Sequence, residues 1–262
     1  QVTEVSYDGS ALVALERSDA AGENKAGLYF SYSGSGPHAG KLLQVEKRLD
    51  RGGALTPLLR TVYAYHSGDD AAGSLNDLKS IEVLEYAADA GQWLRLRKSY
   101  YRYYKTDGGG GFVHGLKYEV DPEAYARMGA AGLSPEDVSA VPDSMLEQYA
   151  TKMFVYDAQH RVTETRLNAG AEENAFERLD SDHAEGRNWW RRTIRTRGDG
   201  AEIVTYANRI NQPVLRILRK GTDSWAEYFE YNDQYRWLLH AGPDAIASVT
   251  EPTGASQNLS VT

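Results

Sequence analysis

Cysteine is absent from this chain of 262 residues, so disulfides and thiolate metal sites are excluded and packing alone must stabilise the fold. Long apolar runs are absent too. No stretch approaches the roughly 18 to 20 apolar residues of a helical membrane span, and residues 1–9 lack the basic segment and apolar run of a signal peptide. Positive charge is in the minority, with 29 Lys and Arg against 37 Asp and Glu. The net charge of −8 argues against non-specific binding to nucleic acid or an anionic membrane, because both need clustered cations that release counterions. The chain does not begin with Met, and residues 258–262 read like a strand. The expectation is a segment of a longer bacterial polypeptide, extracellular or at the cell surface, whose export signal lies outside it.

Tyrosine is abundant: 18 residues against 5 Phe and 5 Trp. Together with many Val, Ile and Thr, that favours pleated, half-wet sheet surfaces. The dominant pattern is a short aromatic or aliphatic run, a polar turn, and a second run alternating apolar with charged residues, which predicts a β-hairpin. Residues 155–167 show it most clearly, with a turn near Ala158 to His160 and a return strand alternating from Val162 to Leu167. Residues 206–215 and 229–238 repeat the plan. Their leading tyrosines, Tyr156, Tyr206 and Tyr231, are 50 and 25 residues apart, which fits a hairpin array with a degenerate member at residues 174–182. Looser units lie earlier: Tyr7-Asp8, residues 29–49, 61–86, 93–104 and 112–120.

One region breaks the period. Asp121-Pro122-Glu123 is a helix start with an N-cap, a proline at the first position and an acidic first turn, and residues 134–137 repeat the signal. After Pro142, a third start at Asp143 runs through Met145, Leu146, Tyr149 and Met153 at helical spacing. The expected organisation is mainly β, with hairpin repeats over 1–120, a small helical insertion over 121–152, and clearer repeats over 153–262.

At these hairpins the chain resembles the RHS/YD-repeat family, whose repeat centres on an aromatic, Tyr-Asp, a turn, Arg or Gly, and an aliphatic strand. The segment from Phe154 to Val162 is the best fit. Tyr231-Asn232 and Tyr206-Ala207 depart from the strict pair while keeping the surrounding spacing. Residues 100–104, 112–118 and 122–127 also resemble a subtype found in very long planctomycete proteins. The resemblance implies hairpins paired side by side into a spiralling sheet, shell, tube or filament that encases toxins or presents adhesive surfaces. It marks Tyr7, Asp8, Tyr156, Asp157, Tyr206, Asn208, Tyr231 and Asn232 as repeat-turn residues. An isolated hairpin is marginal in water, so adjacent repeats, or further copies of the chain as a homopolymer, are the implied partners. The Asp-Pro-x-Gly-Leu type motif that closes toxin-carrying cores is missing, so self-cleavage is not carried over, and the resemblance implies no catalytic residue.

Other chemistry finds little footing. His38, His66, His114, His160, His183 and His240 are scattered, without an HExxH motif or a close ligand pair. Residues 36–41 have the outline of a phosphate loop, but Ser35 replaces the first Gly and Leu42 the magnesium-binding Ser or Thr, so a hairpin loop is expected. The run Gly108 to Gly111 reads as a turn, and no GxSxG elbow is present. Calcium is the one ion weighed, at Asp69-Asp70 and Asp180 with Asp182, but neither pair sits in a twelve-residue loop ending in Glu. Asn258-Leu259-Ser260 fits a glycosylation sequon. The aromatics carry two readings. Tyr101 and Tyr103, and Trp225 and Phe229, would each share a strand face, as a stacking surface for glycans or as a cross-strand ladder that fixes register.

Overall fold

The computed structural model describes residues 2–18, 25–50, 53–182 and 189–262; His183 lies outside them. The chain divides into two compact units, residues 1–160 and 161–262. The first holds β1 (Val2–Asp8), β2 (Ala11–Ser18), β3 (Ala26–Tyr32), β4 (Leu42–Asp50), β5 (Leu55–Tyr65), β6 (Leu78–Ala87), β7 (Gln92–Tyr103), β8 (Leu116–Val120), helices α1 (Pro122–Ala130) and α2 (Asp143–Leu146), and β9 (Lys152–Tyr156). Each strand pairs antiparallel with the next in chain order, the meander that repeated hairpin signals call for. Pro57, inside β5, sits opposite a register shift between Lys47 and Arg48. A bulge of this kind lets a strand tolerate a residue that cannot donate to the ladder.

The second unit holds β10 (Val162–Leu167), β11 (Glu172–Asp180), β12 (Arg191–Arg197), β13 (Glu202–Ala207), β14 (Pro213–Lys220), β15 (Asp223–Tyr231) and β16 (Trp237–Ala241), again each antiparallel to its successor. A 3-10 turn (Pro243–Ala245) and a two-stranded ribbon of β17 (Val249–Thr250) and β18 (Ser260–Val261) follow. The unit boundary falls after His160, eight residues beyond the boundary expected from sequence. The reason is that β9 belongs with β8: Tyr118 pairs with Met153, and the Tyr156 hydroxyl donates to the Leu116 carbonyl at 2.9 Å.

A meander has two faces, and a core forms where something covers one of them. In the first unit the cover is the helical insertion, which seals Tyr100, Tyr118 and Val120 under Ala124, Met128, Val141 and Leu146. In the second it is the C-terminal segment, whose Leu259 closes over Val204, Tyr206, Leu215 and Ile217, beside Trp189.

The insertion begins as its sequence dictates: Asp121 Oδ1 accepts from the Ala124 N–H at 2.8 Å, with Pro122 and Glu123 in the first turn. The second start, at 134–137, yields only turns. Asp137 Oδ1 accepts from the backbone of Ser139 and Ala140, while the Pro135 and Val141 carbonyls accept from Arg102. The third start stops after one turn, and Met153 belongs to β9 rather than to a helix.

Arg102 pins this cover to the sheet. Its side chain is 2% exposed, and it donates to Asp143 Oδ1 at 2.7 Å, to the Val141 carbonyl at 3.2 Å and to the Pro135 carbonyl at 3.0 Å. Lys117 donates to the other Asp143 oxygen, and Tyr118 to Glu147 at 2.7 Å. These bonds satisfy polar groups that the apolar contacts would otherwise strand away from water.

Candidate functional site

One joint recurs along the sheet. At the end of an odd-numbered strand, a tyrosine hydroxyl donates across to the backbone carbonyl of the first or second residue of the preceding even-numbered strand. Tyr32 donates to Leu12 at 3.0 Å, Tyr65 to Leu42 at 2.8 Å, Tyr156 to Leu116 at 2.9 Å and Tyr231 to Pro213 at 3.1 Å. Tyr103 holds the equivalent position beside Leu78, but there the backbone bond favours the ionised phenol, as an N–H donating to its oxygen does. At the β10–β11 junction Arg178 takes the part of tyrosine, donating to the Val162 carbonyl at 2.5 Å.

The register is as constant as the bond. Two residues after the acceptor pairs with three residues before the donor: Ala14 with Tyr29, Gln44 with Val62, Ser80 with Tyr100, Tyr118 with Met153, Glu164 with Ala175, and Leu215 with Tyr228. Just before Tyr7, Tyr32, Tyr65, Tyr103 and Tyr231 the pairing within the hairpin slips by one residue. In each case the extra residue lies on the strand opposite the tyrosine, at Val13, Leu43, Lys79, Lys117 and Leu238, so that strand bends where the tyrosine ends its own. Burial pushes the hydroxyls of Tyr65, Tyr156 and Tyr231 above their ordinary ionisation range, which keeps them in the protonated form that donates.

The loops after these tyrosines close alike. The first loop residue donates its N–H to the carbonyl of the last, and the penultimate residue donates back to the carbonyl of the first. Ser33 and Lys41 do this with Gly40, His66 and Asp77 with Asn76, Tyr104 and Gly115 with His114, Asn208 and Gln212 with Asn211, and Asn232 and Arg236 with Tyr235. The penultimate residue lies in the left-handed region, which accounts for five of the seven such non-glycine residues among the described ones: Asn76, His114, His160, Asn211 and Tyr235. Where the loop is short, an Asx side chain braces it. Asn208 Oδ1 accepts from the N–H of Ile210 and Gln212, Asn232 Oδ1 from Gln234 and Arg236, and Asp157 Oδ1 from Gln159.

In the first unit, successive loops also lock side by side. His38 Nδ1 lies 2.9 Å from Asn76 Oδ1, and His114 Nδ1 lies 2.7 Å from Asp77 Oδ1. Phe112 stacks on His160 at 4.0 Å between ring centroids and meets Tyr156 edge-on. Lys105 donates to the Gly68 carbonyl at 2.7 Å and bonds that of Asp70 as well. The glycines of 108–111 allow this closeness: a Cβ on Gly110 would stand 2.8 Å from Val155, and one on Gly111 would overlap the Tyr104 ring.

Most of the residues singled out in sequence lie at this joint, with one change of register. Tyr7 and Asp8 end β1, Tyr156 ends β9 with Asp157 next in the chain, and Tyr231 ends β15 with Asn232 next. Tyr206 does not occupy the tyrosine slot. Ala207 lies after the bulge, paired with Pro213, so Ala207-Asn208 is the equivalent of Tyr231-Asn232. Tyr206 instead points into the core, edge-on to Trp189, its hydroxyl bonded to Glu251 Oε2 at 3.0 Å. The period read from sequence was therefore one residue off at this member.

Tyr100 and Tyr103 both set their rings edge-on to the buried His66. Phe229 is buried in a stack with His240 and Trp237, and Trp225 remains exposed. Sequence reading missed Tyr32, Tyr65 and Tyr103 as ladder members. Their signal was a Tyr ending an alternating run 20 to 25 residues after Leu12, Leu42 or Leu78, hidden because the loops between vary in length.

Three of the carboxylates weighed for ion binding are engaged in the structure. Asp70 Oδ1 accepts from the Ala72 N–H and faces His66 at 3.5 Å; Asp180 pairs with Arg191 at 2.6 Å; Asp182 accepts from Ser256. Glu251 lines a cleft with Ile217, Ala226 and Pro243, and it is bonded to Tyr206 and Arg219.

No protein-family model matches the chain, and no curated protein matches it. Among solved structures it is similar to one chain of the crystal structure of TcdB2-TccC3-TEV, at 11% identity and a TM-score of 0.23. The match covers 99% of this chain and 16% of that one, so the present chain spans about a sixth of that chain's length.

Proposed function

We propose that this chain is a structural stretch of a larger RHS/YD-repeat-type protein, secreted or displayed at the cell surface, whose hairpins continue side by side into a shell, tube or filament. The observation that carries this reading is the repeated joint. Tyrosine hydroxyls, Asx side chains and loop histidines, the groups that could do chemistry, are spent on tying each hairpin to the next. On this reading the chain has no catalytic residue and no resident cofactor, and its partners are further hairpins. Electron micrographs of the native parent polypeptide are expected to show elongated, repeating density, and discrete compact particles would overturn the reading.

A second reading, glycan binding, is favoured by Trp225, which is 45% exposed. A glycan array that shows no binding, or binding unchanged in Trp225→Ala, removes it.

A further inference from the structure

The face of the second unit turned away from its C-terminal cover carries a row of side chains that the hairpin joint does not use. Phe176 stands opposite Arg195, Arg195 opposite Ile203, Ile203 opposite Leu218, and Leu218 opposite Trp225. Ile194, Val204 and Ile217, one position along their strands, point the other way, toward the cover. Strands added at either edge of the sheet would leave this face as it is. The two ends of the row differ in charge. On β11 and β12 three guanidiniums crowd together: Arg195 has Arg197 two residues along its own strand and Arg178 diagonally across, 5.8 Å from the centre of the Phe176 ring. Like charges on adjacent strands repel, and the carboxylates at the rim are engaged, Asp180 by Arg191 at 2.6 Å and Asp199 by Lys220 at 3.2 Å, with Arg197 3.9 Å from Asp199. Arg195 has no ion pair among the described residues, and its Nε is buried without a hydrogen-bond partner among them. At the other end Leu218 and Trp225 are exposed, and the charges around them balance: Arg216 faces Glu227 and Lys220 faces Asp223.

We infer that this row binds an acidic oligosaccharide, with a carboxylate-bearing sugar at Arg195 and Arg197 and an uncharged sugar against Trp225. A carboxylate matches the guanidinium fork and supplies the acceptor that Arg195 lacks. The indole and Leu218 take the apolar face of a sugar ring, while the neighbouring ion pairs offer donors and acceptors to its hydroxyls. Arg195 and Trp225 are three strand spacings apart, roughly 14 Å, which calls for a short chain of sugars instead of a single one. A nucleic acid, charged at every unit, matches the balanced end poorly. This inference rests on the glycan reading and names the class of glycan.

The test is titration calorimetry of the chain with three probes. A hyaluronan hexasaccharide alternates a uronate with a neutral N-acetyl sugar, a chitin hexasaccharide is neutral throughout, and a short single-stranded oligonucleotide is charged throughout. Hyaluronan is expected to bind roughly ten-fold more tightly than the chitin fragment and to lose affinity as salt rises. Arg195→Gln and Arg197→Gln, each checked for folding by circular dichroism, are each expected to weaken hyaluronan binding roughly ten-fold, and Trp225→Ala roughly three- to ten-fold. Arg127→Gln, the same charge change at the exposed end of α1, is expected to leave it unchanged. Equal binding of the two oligosaccharides, or an affinity untouched by Arg197→Gln, overturns the charged site and leaves the glycan reading standing. Binding of neither removes both. An oligonucleotide that binds more tightly than hyaluronan marks a general polyanion surface and overturns the inference as well. The hairpin-array reading is separate from all of these results, because it is judged on the native parent polypeptide.

Discussion

The hydroxyl of Tyr65 donates to the carbonyl of Leu42, 23 residues earlier and on the adjacent hairpin, at 2.8 Å. This bond joins two units of structure that local sequence cannot join, because each hairpin closes through its own turn. Tyr65→Phe keeps the ring and removes the bond, leaving the Leu42 carbonyl short of a donor. A loss of about 0.5 to 1.5 kcal/mol is expected from urea denaturation. Tyr86→Phe is the control, since that ring packs against Trp93 and its hydroxyl has no bond among the described residues; it should change stability far less.

Tyr235 holds a left-handed backbone, with φ of 59°, only because the Asn232 loop closes through its N–H. Glycine adopts that conformation without the Cβ penalty. Tyr235→Gly is therefore expected to raise stability, by up to about 1 kcal/mol, although it removes a large side chain. Asn208→Ala should do the opposite and cost about 1 kcal/mol or more, because the N–H groups of Ile210 and Gln212 lose their acceptor. Thermal melts of the two variants should move in opposite directions.

Arg102 is buried against Asp143 and two carbonyls of the helical insertion. Truncation to Ala leaves those acceptors unsatisfied and is expected to cost about 3 to 5 kcal/mol. Hydrogen exchange should show protection lost first over residues 131–146, while β2 to β6 keep theirs. Equal loss across the whole first unit would mean that the cover and the sheet unfold as one.

Acid should act through Glu46 and Asp143. Burial pushes each carboxyl up, but hydrogen bonds from Arg60 and Arg48 to Glu46, and from Lys117 and Arg102 to Asp143, outweigh it and hold both below the usual range. With the folded value depressed, the unfolded chain takes up protons first as the pH falls. The stabilisation is present above roughly pH 4 and is lost below it. Glu46→Gln should flatten the acid limb of the stability profile.

Base should act through the tyrosines. Burial, with Glu16 beside it, raises Tyr29 to about 12, and burial raises Tyr65, Tyr156 and Tyr231 as well. Groups raised in the folded state stabilise fully below their unfolded value, about 10, and lose that stabilisation as pH climbs past it. Tyrosinate absorbance should rise in one cooperative step that coincides with loss of the circular dichroism signal.

The hairpins themselves were legible from local pattern: residues 162–167 alternate, Gly9 and Gly221 punctuate their turns, and Asp121-Pro122 opens α1 where its cap chemistry says it must. Alternation and turn residues act over a few positions, so a sequence states them directly. The bulge was not legible. A one-residue slip changes which residues stand opposite each other, which is why Tyr206 reads as a ladder tyrosine while Ala207 takes that slot opposite Pro213.

The sequence by itself determined that this chain forms antiparallel hairpins, because a period of two and the conformational demands of turns are local properties. Tertiary structure alone decided which tyrosine reaches which carbonyl, and which stretch of sheet receives a cover. Those choices depend on side chains meeting across loops of unequal length, where a bulge, a buried Arg102 and a leucine at 259 weigh more than spacing along the chain.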